Sequence, residues 1–159
     1  MQIGLGYDSH RFTKGRKLML GGVEVPFSKG LKGHSDADVV LHAVIDAILG
    51  ACALGDIGTF FPDSDARYRG VSSMKLLEEA ARLAARRFRV VNVDVTLLAE
   101  EPRIGPYKNR MRAKIARAAR VPVASVSVKA KTNEGMGFVG RREGLAAIAV
   151  ASVERKGKR

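Results

Sequence analysis

The residues with the clearest chemical potential are two histidines and one aspartate that lie far apart in the sequence. Asp8 and His10 are two positions apart near the N-terminus, and His42 lies much further along the chain. Two imidazoles and a carboxylate form a common ligand set of catalytic zinc sites, where a fourth position stays open. The remaining histidine, His34, lies in the same region. This convergence favours a metal site over the alternative in which His10 and His42 only form hydrogen bonds.

His42 lies in a segment that we predict to be a helix from about Asp38 to Leu54. Asp38, His42 and Asp46 recur every four residues, which places them on one polar stripe of that helix. Apolar residues of the other faces are expected to pack inward, namely Val39, Val40, Val44, Ile48 and Leu49. Ser35 or Asp36 is expected to cap the helix. Asp46 is either a surface carboxylate or a group that orients His42 through its free ring nitrogen.

A second polar cluster lies in the glycine-rich loop from Thr132 to Arg141. Glycines expose backbone N–H groups, Thr132 adds a hydroxyl and Glu134 adds a carboxylate, which together suit phosphates and a hard cation. The loop does not match the Walker pattern, and an ordinary connection between strands is the alternative. Glu134 beside Thr132 fits Mg²⁺ bridging two phosphates better than direct contact with phosphate.

The elements that must position these groups alternate between strands and helices. Ile3–Tyr7 reads as a strand that delivers Asp8 and His10 to the same side. Gly21-Gly22 predicts a hairpin between Lys17–Leu20 and Val23–Val25. The remaining predictions are a loop over 55–69, a helix from Ser72 or Ser73 to about Phe88, a strand over Val90–Ala99, a helix over Pro106–Ala119, and strands over Val126–Lys131 and Leu145–Val153.

These predictions describe an α/β fold with a mixed β-sheet, helices packed on one face and an N-terminal hairpin. The last strand, GLAAIAVASVER, carries apolar residues on both faces. One face meets the helices, so a partner subunit is expected to cover the other. The length of 159 residues and the 46% hydrophobic content predict a single domain over residues 1–159, with a basic tail at about 154–159.

Composition narrows the class of protein. No apolar run approaches the roughly 18 residues of a membrane span, and the N-terminus resembles no targeting segment, so we expect a cytoplasmic protein without a membrane partner. The single cysteine, Cys52, is expected to be a small buried apolar residue. The net charge of +12 attracts polyanions, either nucleic acid or phosphorylated metabolites. Aromatic residues are not interleaved with the basic runs, so nucleic acid is the less favoured partner.

Three segments together resemble the family of 2-C-methyl-D-erythritol 2,4-cyclodiphosphate synthases of the non-mevalonate isoprenoid pathway. They are GYDSHRF, GHSDADVVLHAVIDAILGACALGDIGTFFPDSD and VKAKTNEGMGFVGRREG. The resemblance runs essentially end to end. It implies a phosphorus–oxygen lyase that converts 4-diphosphocytidyl-2-C-methyl-D-erythritol 2-phosphate to the cyclic diphosphate and releases CMP. The alternative from another class is a basic nucleic-acid-binding or scaffolding protein on the same fold.

The resemblance also implies the ions and the residues that stabilise the transition state. One Zn²⁺ per chain would be held by Asp8, His10 and His42, and Glu134 would help hold Mg²⁺ or Mn²⁺ on the substrate diphosphate. His34 and Thr132 match positions that stabilise the transition state. The family is a homotrimer with active sites between subunits.

Substrate contacts carried over from the resemblance fall in several segments. They are Ser35, Asp56, Ile57, Gly58, Phe61, Asp63 and Asp65 for the methylerythritol and phosphate part, Ala99, Pro102, Arg103, Gly105, Lys131 and Asn133 for the cytidine and diphosphate part, and Phe138 and Arg141 for a central cavity that can hold an isoprenoid diphosphate.

A few positions depart from the family's usual pattern. Glu100 and Glu101 add two carboxylates before Pro102, which would weaken nucleotide binding unless they face solvent. Arg103 replaces a more usual lysine, and Asn133 replaces a second or third threonine. Lys131 stands where a small residue is common, and its ammonium group could reach a phosphate. These departures leave the predicted zinc ligands intact.

Overall fold

The structure, a computed structural model, describes residues 1–157 and is built on a five-stranded mixed sheet. The spatial order of its strands is β4-β1-β7-β5-β6, with β5 and β6 parallel and the other neighbours antiparallel. β2 and β3 form a separate hairpin. The strands are β1 (Gln2–Thr13), β2 (Leu18–Leu20), β3 (Val23–Val25), β4 (Gly30–Leu31), β5 (Phe88–Leu98), β6 (Val126–Lys131) and β7 (Gly144–Arg155).

The long helices pack on one face of the sheet, as predicted. The helices are α1 (Val39–Ala51), α2 (Ile57–Phe60), α3 (Ser73–Ala84), α4 (Lys108–Ala119) and α5 (Gly137–Gly140), with 3₁₀ turns at Ala66–Tyr68, Gly105–Tyr107 and Val123–Ser125. α1 lies directly against β1. A Cβ atom added at Gly6 would lie only 2.0 Å from the carbonyl oxygen of Ala43, so the two backbones are in contact. This close approach brings the side chains of α1 next to the helix-facing side of β1.

The opposite face of the sheet carries exposed apolar side chains. On β1, Ile3, Leu5 and Tyr7 are 69%, 67% and 51% exposed, and Ile148 of β7 lies on the same face. Contiguous apolar surface of this kind is typical of protein–protein contacts. The observation agrees with the apolar pattern on both faces of the last predicted strand.

The predicted hairpin is present, but the cap of α1 differs from the prediction. Asp38 caps the helix rather than Ser35 or Asp36, and its carboxylate accepts hydrogen bonds from the backbone N–H groups of Leu41, Gly21 and Gly22. Both glycines have positive φ, as the turn requires. Asp38 is fully buried, and this burial raises its pKa to about 6. The carboxylate thus joins the hairpin to α1 and does not belong to an exposed polar stripe.

Several boundaries also differ from the predictions. β1 continues to Thr13, so Asp8 and His10 lie inside the strand, where its pairing with β7 continues. α1 ends at Ala51, and the segment predicted as a loop over 55–69 contains α2 and a 3₁₀ turn. β7 takes up the start of the predicted tail through Arg155, while Lys158 and Arg159 lie outside the described residues. Within residues 1–157, every helix is too short or too polar to cross a membrane.

Candidate metal centre and substrate cavities

β1 and α1 bring Asp8, His10 and His42 together, as their residue types predicted. Asp8 and His10 share the helix-facing side of β1, and His42 projects from the second turn of α1. Asp8 Oδ2 lies 2.9 Å from His10 Nε2 and 3.0 Å from His42 Nδ1, and the two ring nitrogens are 3.1 Å apart. Three potential ligand atoms therefore form a nearly equilateral triangle.

This triangle fits a tetrahedral zinc ion. Ligand atoms bonded to Zn²⁺ at about 2.0–2.2 Å in a tetrahedron lie about 3.3–3.6 Å from one another, a few tenths of an ångström more than the observed separations. Two imidazoles and one carboxylate also match zinc in donor chemistry. All three side chains also line the adjoining cavity.

The three side chains also form one electrostatic unit. Burial pushes the pKa of Asp8 upward, but hydrogen bonds from His10 and His42 and the charges on their rings outweigh it and hold that pKa well below its usual range. Burial likewise disfavours the charged imidazolium of His42, and the hydrogen bond and charge of Asp8 outweigh it, so the pKa of His42 is raised. Asp8 thus remains an anion, the form that binds a metal ion.

The second ring nitrogen of His42 does not meet Asp46, and that part of the interpretation is wrong. The carboxylate of Asp46 accepts a hydrogen bond of 2.7 Å from the backbone N–H of Ile57 and so holds α2 in place. His42 Nε2 lies 3.0 Å from the hydroxyls of both Ser35 and Ser73. From the sequence, Ser73 was predicted only as a possible cap of the helix that follows it. Ser72 caps that helix in the structure, and the contact of Ser73 with His42 was not predicted.

A cavity of about 380 Å³ opens beside the triangle and collects most of the residues predicted for the methylerythritol and phosphate part. Its lining includes Asp8, His10, His34, Ser35, His42, Ile57, Gly58, Phe61 and Asp63. Asp56, the exposed cap of α2, directly precedes the lining residues Ile57 and Gly58 but is not part of the lining. Asp65 pairs with Arg67 at 2.6 Å, and its carbonyl oxygen lies 3.3 Å from His34 Nε2. Their binding roles stay predictions.

A second cavity, of about 430 Å³, lies where β5 and β6 end. Its lining includes Ala99, Glu100, Pro102, Arg103, Gly105, Lys131 and Thr132. Of the residues predicted for the cytidine and diphosphate part, Asn133 is not in this lining, and the binding roles of all of them stay predictions. Beside it, the Thr132 hydroxyl donates a hydrogen bond to the carboxylate of Glu134. Three basic side chains, Arg103, Lys108 and Lys131, give this cavity positive charge. The cavity therefore has the character expected of a site for a nucleotide phosphate.

The two additional carboxylates next to this cavity have structural partners. Glu100 Oε1 accepts hydrogen bonds from the backbone N–H groups of Asn133, at 2.7 Å, and Gly135, at 3.2 Å. Glu101 lies 3.8 Å from Arg142. From the sequence, these carboxylates are expected to oppose nucleotide binding unless they face solvent. Glu100 instead anchors the glycine-rich loop, a role that its position before Pro102 did not indicate.

The two cavities are separate within one chain. Asp8 of β1 pairs with Ala147 of β7, and Ala147 pairs with Leu97 of β5. The two cavities therefore lie at a similar height along the strands, near opposite edges of the sheet. Phe138 and Arg141 line neither cavity; Phe138 is partly exposed, and Arg141 pairs with Glu143 at 2.8 Å. The triangle and the start of the glycine-rich loop at Thr132 therefore lie at two separate cavities.

The chain is similar to proteins of one family along nearly its whole length. The profile of the YgbB family matches residues 1–154. A 2-C-methyl-D-erythritol 2,4-cyclodiphosphate synthase from Syntrophobacter fumaroxidans is 54% identical over 99% of this chain and all of its own. The protein of the same name from Alkaliphilus metalliredigens is 55% identical over 96% of this chain and 97% of its own.

Solved structures agree with this similarity. The bifunctional IspDF from Campylobacter jejuni superposes with a TM-score of 0.93 at 38% identity, covering 98% of this chain and 42% of that protein. A 2C-methyl-D-erythritol-2,4-cyclodiphosphate synthase in its CDP-bound form gives a TM-score of 0.87 at 38% identity, covering 96% of this chain and 100% of that one. These similarities do not favour the alternative of a nucleic-acid-binding protein.

Proposed function

The chain belongs to the YgbB family, the family of 2-C-methyl-D-erythritol 2,4-cyclodiphosphate synthases, and on this premise we propose which of its residues carry the cyclisation. The enzyme converts 4-diphosphocytidyl-2-C-methyl-D-erythritol 2-phosphate to the cyclic diphosphate and CMP. An oxygen of the substrate's own 2-phosphate forms a bond to the β-phosphorus, and the bond from that phosphorus to the bridging oxygen of CMP breaks. Because the nucleophile comes from the substrate, the protein's tasks are positioning and charge stabilisation.

The observation that carries this proposal is the triangle of Asp8, His10 and His42 at the mouth of a cavity. These residues would hold Zn²⁺, which supplies Lewis-acid polarisation of a phosphate oxygen at its open position. The pairing of β1 with β7 fixes two of the ligands, and the packing of α1 on β1 fixes the third. A rigid site of this kind suits a reaction in which orientation is most of the work.

The remaining residues of this cavity would hold the methylerythritol and its phosphates. His34 would donate a hydrogen bond to a phosphate oxygen as negative charge develops there, and Ser35 lines the same cavity. Asp63, Asp56 and the backbone at Ile57 and Gly58 would bind the sugar hydroxyls, with Phe61 and Asp65 completing the wall. α2 keeps this wall in place because Asp46 accepts a hydrogen bond from Ile57.

The second cavity would take the cytidine and the α-phosphate. Ala99, Pro102, Arg103 and Gly105 would surround the base and ribose, and Lys131 and Asn133 would approach the phosphates. Glu134 would help hold Mg²⁺ or Mn²⁺ on the diphosphate, with Thr132 beside it. Positive charge at Arg103, Lys108 and Lys131 offsets the charge of the departing CMP.

We expect a second copy of the chain to join the two cavities into one site, as in a homotrimer. The cavities lie at a similar height along the strands but near opposite edges of the sheet, so a head-to-tail contact between copies would join the first cavity of one chain to the second cavity of the next. Heterologous contacts of this kind form a closed ring when the rotation between copies closes, as it would for a trimer. The exposed apolar face with Ile3, Leu5 and Tyr7 would turn inward in such a ring, with Phe138 and Arg141 near the axis, where an isoprenoid diphosphate could bind.

The test is CMP release from the substrate in the presence of Mg²⁺. Wild-type protein is expected to turn over, and His42→Ala is expected to lose turnover together with bound zinc. Arg86→Ala, a substitution of an exposed residue beyond the end of α3, serves as the control that keeps both. Full turnover by a zinc-free His42→Ala protein would refute the assignment of the metal ligands.

A further inference from the structure

We propose that Ser73, held by Asp36, is a positioning residue that fixes the proton of His42 on Nε2 and thereby presents Nδ1 to the metal. The metal half of this inference rests on the proposed zinc site. The hydroxyl of Ser73 lies 3.0 Å from His42 Nε2, on the side of the ring opposite Asp8 and His10. Ser73 is completely buried, with 0% of its surface exposed, so water does not compete for these hydrogen bonds.

The carboxylate of Asp36 determines the direction of its hydrogen bond with Ser73. The hydroxyl of Ser73 donates to Oδ1 of Asp36, and the backbone N–H of Ser73 donates to Oδ2 at 3.0 Å. An ionised carboxylate can only accept hydrogen bonds. The single hydroxyl hydrogen of Ser73 is therefore committed to Asp36.

The direction of this hydrogen bond determines which ring nitrogen of His42 carries a proton. Once its hydrogen points to Asp36, the Ser73 oxygen can only accept, so the hydrogen bond with His42 requires a proton on Nε2. A neutral imidazole with its proton on Nε2 has its lone pair on Nδ1. That nitrogen lies 3.0 Å from Asp8 and 3.1 Å from His10 Nε2, on the metal side of the ring.

The hydroxyl of Ser35 contacts both His42 Nε2 and the hydroxyl of Ser73. Its oxygen accepts the backbone N–H of Ala37 at 3.1 Å and lies 3.3 Å from the Ser73 oxygen and 3.0 Å from His42 Nε2. Its hydrogen can therefore go to Ser73 while its oxygen also accepts from His42. Both serine oxygens then accept from His42 Nε2. The proton that Nδ1 donates to Asp8 in the metal-free protein is the one that a bound metal ion would replace.

The experiment compares two neighbouring serines at the start of α3. Ser73→Ala removes the hydroxyl that touches His42, whereas Ser72→Ala removes the helix cap, whose hydroxyl accepts the N–H of Met74 at 3.3 Å. Asp36→Asn keeps the shape of the side chain but lets its amide donate to Ser73, which frees the serine hydroxyl to donate to Nε2 and favours the wrong tautomer. Zinc affinity is measured by competition with a chelator, and melting temperature is measured without metal.

Ser73→Ala and Asp36→Asn are expected to weaken zinc binding by about 10- to 100-fold, the usual effect of removing a partner of a metal-bound histidine. Ser72→Ala is expected to lower the melting temperature of the metal-free protein while keeping the zinc affinity of wild type. Wild-type zinc affinity in both Ser73→Ala and Asp36→Asn would overturn the proposal. An equal loss of affinity in Ser72→Ala would also overturn it, because the effect would then be a general one on α3.

A second readout needs no metal. In metal-free protein Nδ1 donates to Asp8, so the readout is the second proton, on Nε2, of the charged ring. Proton NMR is expected to show a hydrogen-bonded Nε2–H that exchanges slowly with water in wild type and is lost in Ser73→Ala. The absence of such a proton in wild type, or its persistence in Ser73→Ala, would overturn the proposal. If wild type bound no zinc but kept the Nε2 proton, the zinc assignment would fail while the role of Ser73 would stand.

Discussion

The close contact between β1 and α1 predicts that Gly6→Ala damages the metal centre from a distance. The added Cβ atom would lie 2.0 Å from the carbonyl oxygen of Ala43 and 2.7 Å from the backbone nitrogen of Ala47. Both neighbours are backbone atoms of α1, so no side-chain rotation can relieve the clash. Ala43 directly follows His42, and any outward movement of the helix carries this ligand away from Asp8 and His10.

The size of the effect follows from these distances. A carbon–oxygen contact needs about 3 Å or more, so α1 must move by about 1 Å, several times the tolerance of about 0.2 Å for zinc–ligand distances. Overpacking of this kind costs about 1–3 kcal/mol of folding stability. The same movement is expected to weaken zinc binding by at least about tenfold, which corresponds to about 1.4 kcal/mol.

Gly50→Ala provides the matched control on the same helix. A Cβ atom at Gly50 would meet nothing within 4 Å, and alanine is the better helix former by about 0.5–1 kcal/mol. This variant is expected to be slightly more stable than wild type, with unchanged zinc affinity. Urea unfolding in the presence of a chelator measures stability, and chelator competition measures zinc affinity. A Gly6→Ala protein with wild-type stability and zinc affinity would show that β1 and α1 do not fix the site by backbone contact.

Three further predictions concern other parts of the molecule. Burial raises the pKa of Asp38 from an ordinary 3.8 to about 6, so its stabilising contribution is complete below 3.8 and is lost as the pH rises through 6. The advantage of wild type over Asp38→Asn in metal-free unfolding experiments is therefore expected to shrink by about 2 kcal/mol between pH 4 and 7, and a constant difference would contradict this. Glu100→Gln weakens the hydrogen bonds that hold the glycine-rich loop at Asn133 and Gly135, and it is expected to raise KM roughly fivefold without loss of zinc. An unchanged KM would show that these hydrogen bonds do not matter for substrate binding. Leu5→Glu places a charge on the exposed apolar face of the sheet and is expected to convert a trimer to folded monomers in sedimentation experiments. An intact trimer would show that the interface between copies lies elsewhere.

Local patterns were sufficient for the parts of the fold that depend on neighbouring residues. The alternation along β1 put Asp8 and His10 on one side, and Gly21-Gly22 predicted the hairpin turn. The apolar positions of α1 correctly indicated its buried side. The metal centre was favoured because every histidine of the chain lies in or beside one region together with several aspartates, and two imidazoles with a carboxylate are a zinc ligand set.

Contacts between residues that are distant in the sequence could not be predicted from local patterns. Ser73 reaches His42 across 31 positions, and nothing in the spacing of the two residues indicates that contact. Asp38 was placed on a polar stripe with His42 and Asp46, because the period of a helix does not reveal that the hairpin covers the first turn and binds Asp38. Glu100 meets the loop at Asn133 and Gly135 only because β5 and β6 are parallel neighbours, and strand order cannot be read from one sequence.

The most direct test of the account is a diffraction experiment on the purified protein at the zinc absorption edge, together with the metal content per chain. We predict one zinc ion per chain, bound by Asp8 Oδ2, His10 Nε2 and His42 Nδ1 at about 2.0–2.2 Å, with His42 Nε2 directed at Ser73. An anomalous peak elsewhere, or zinc-saturated protein with no peak between these three side chains, would contradict the account.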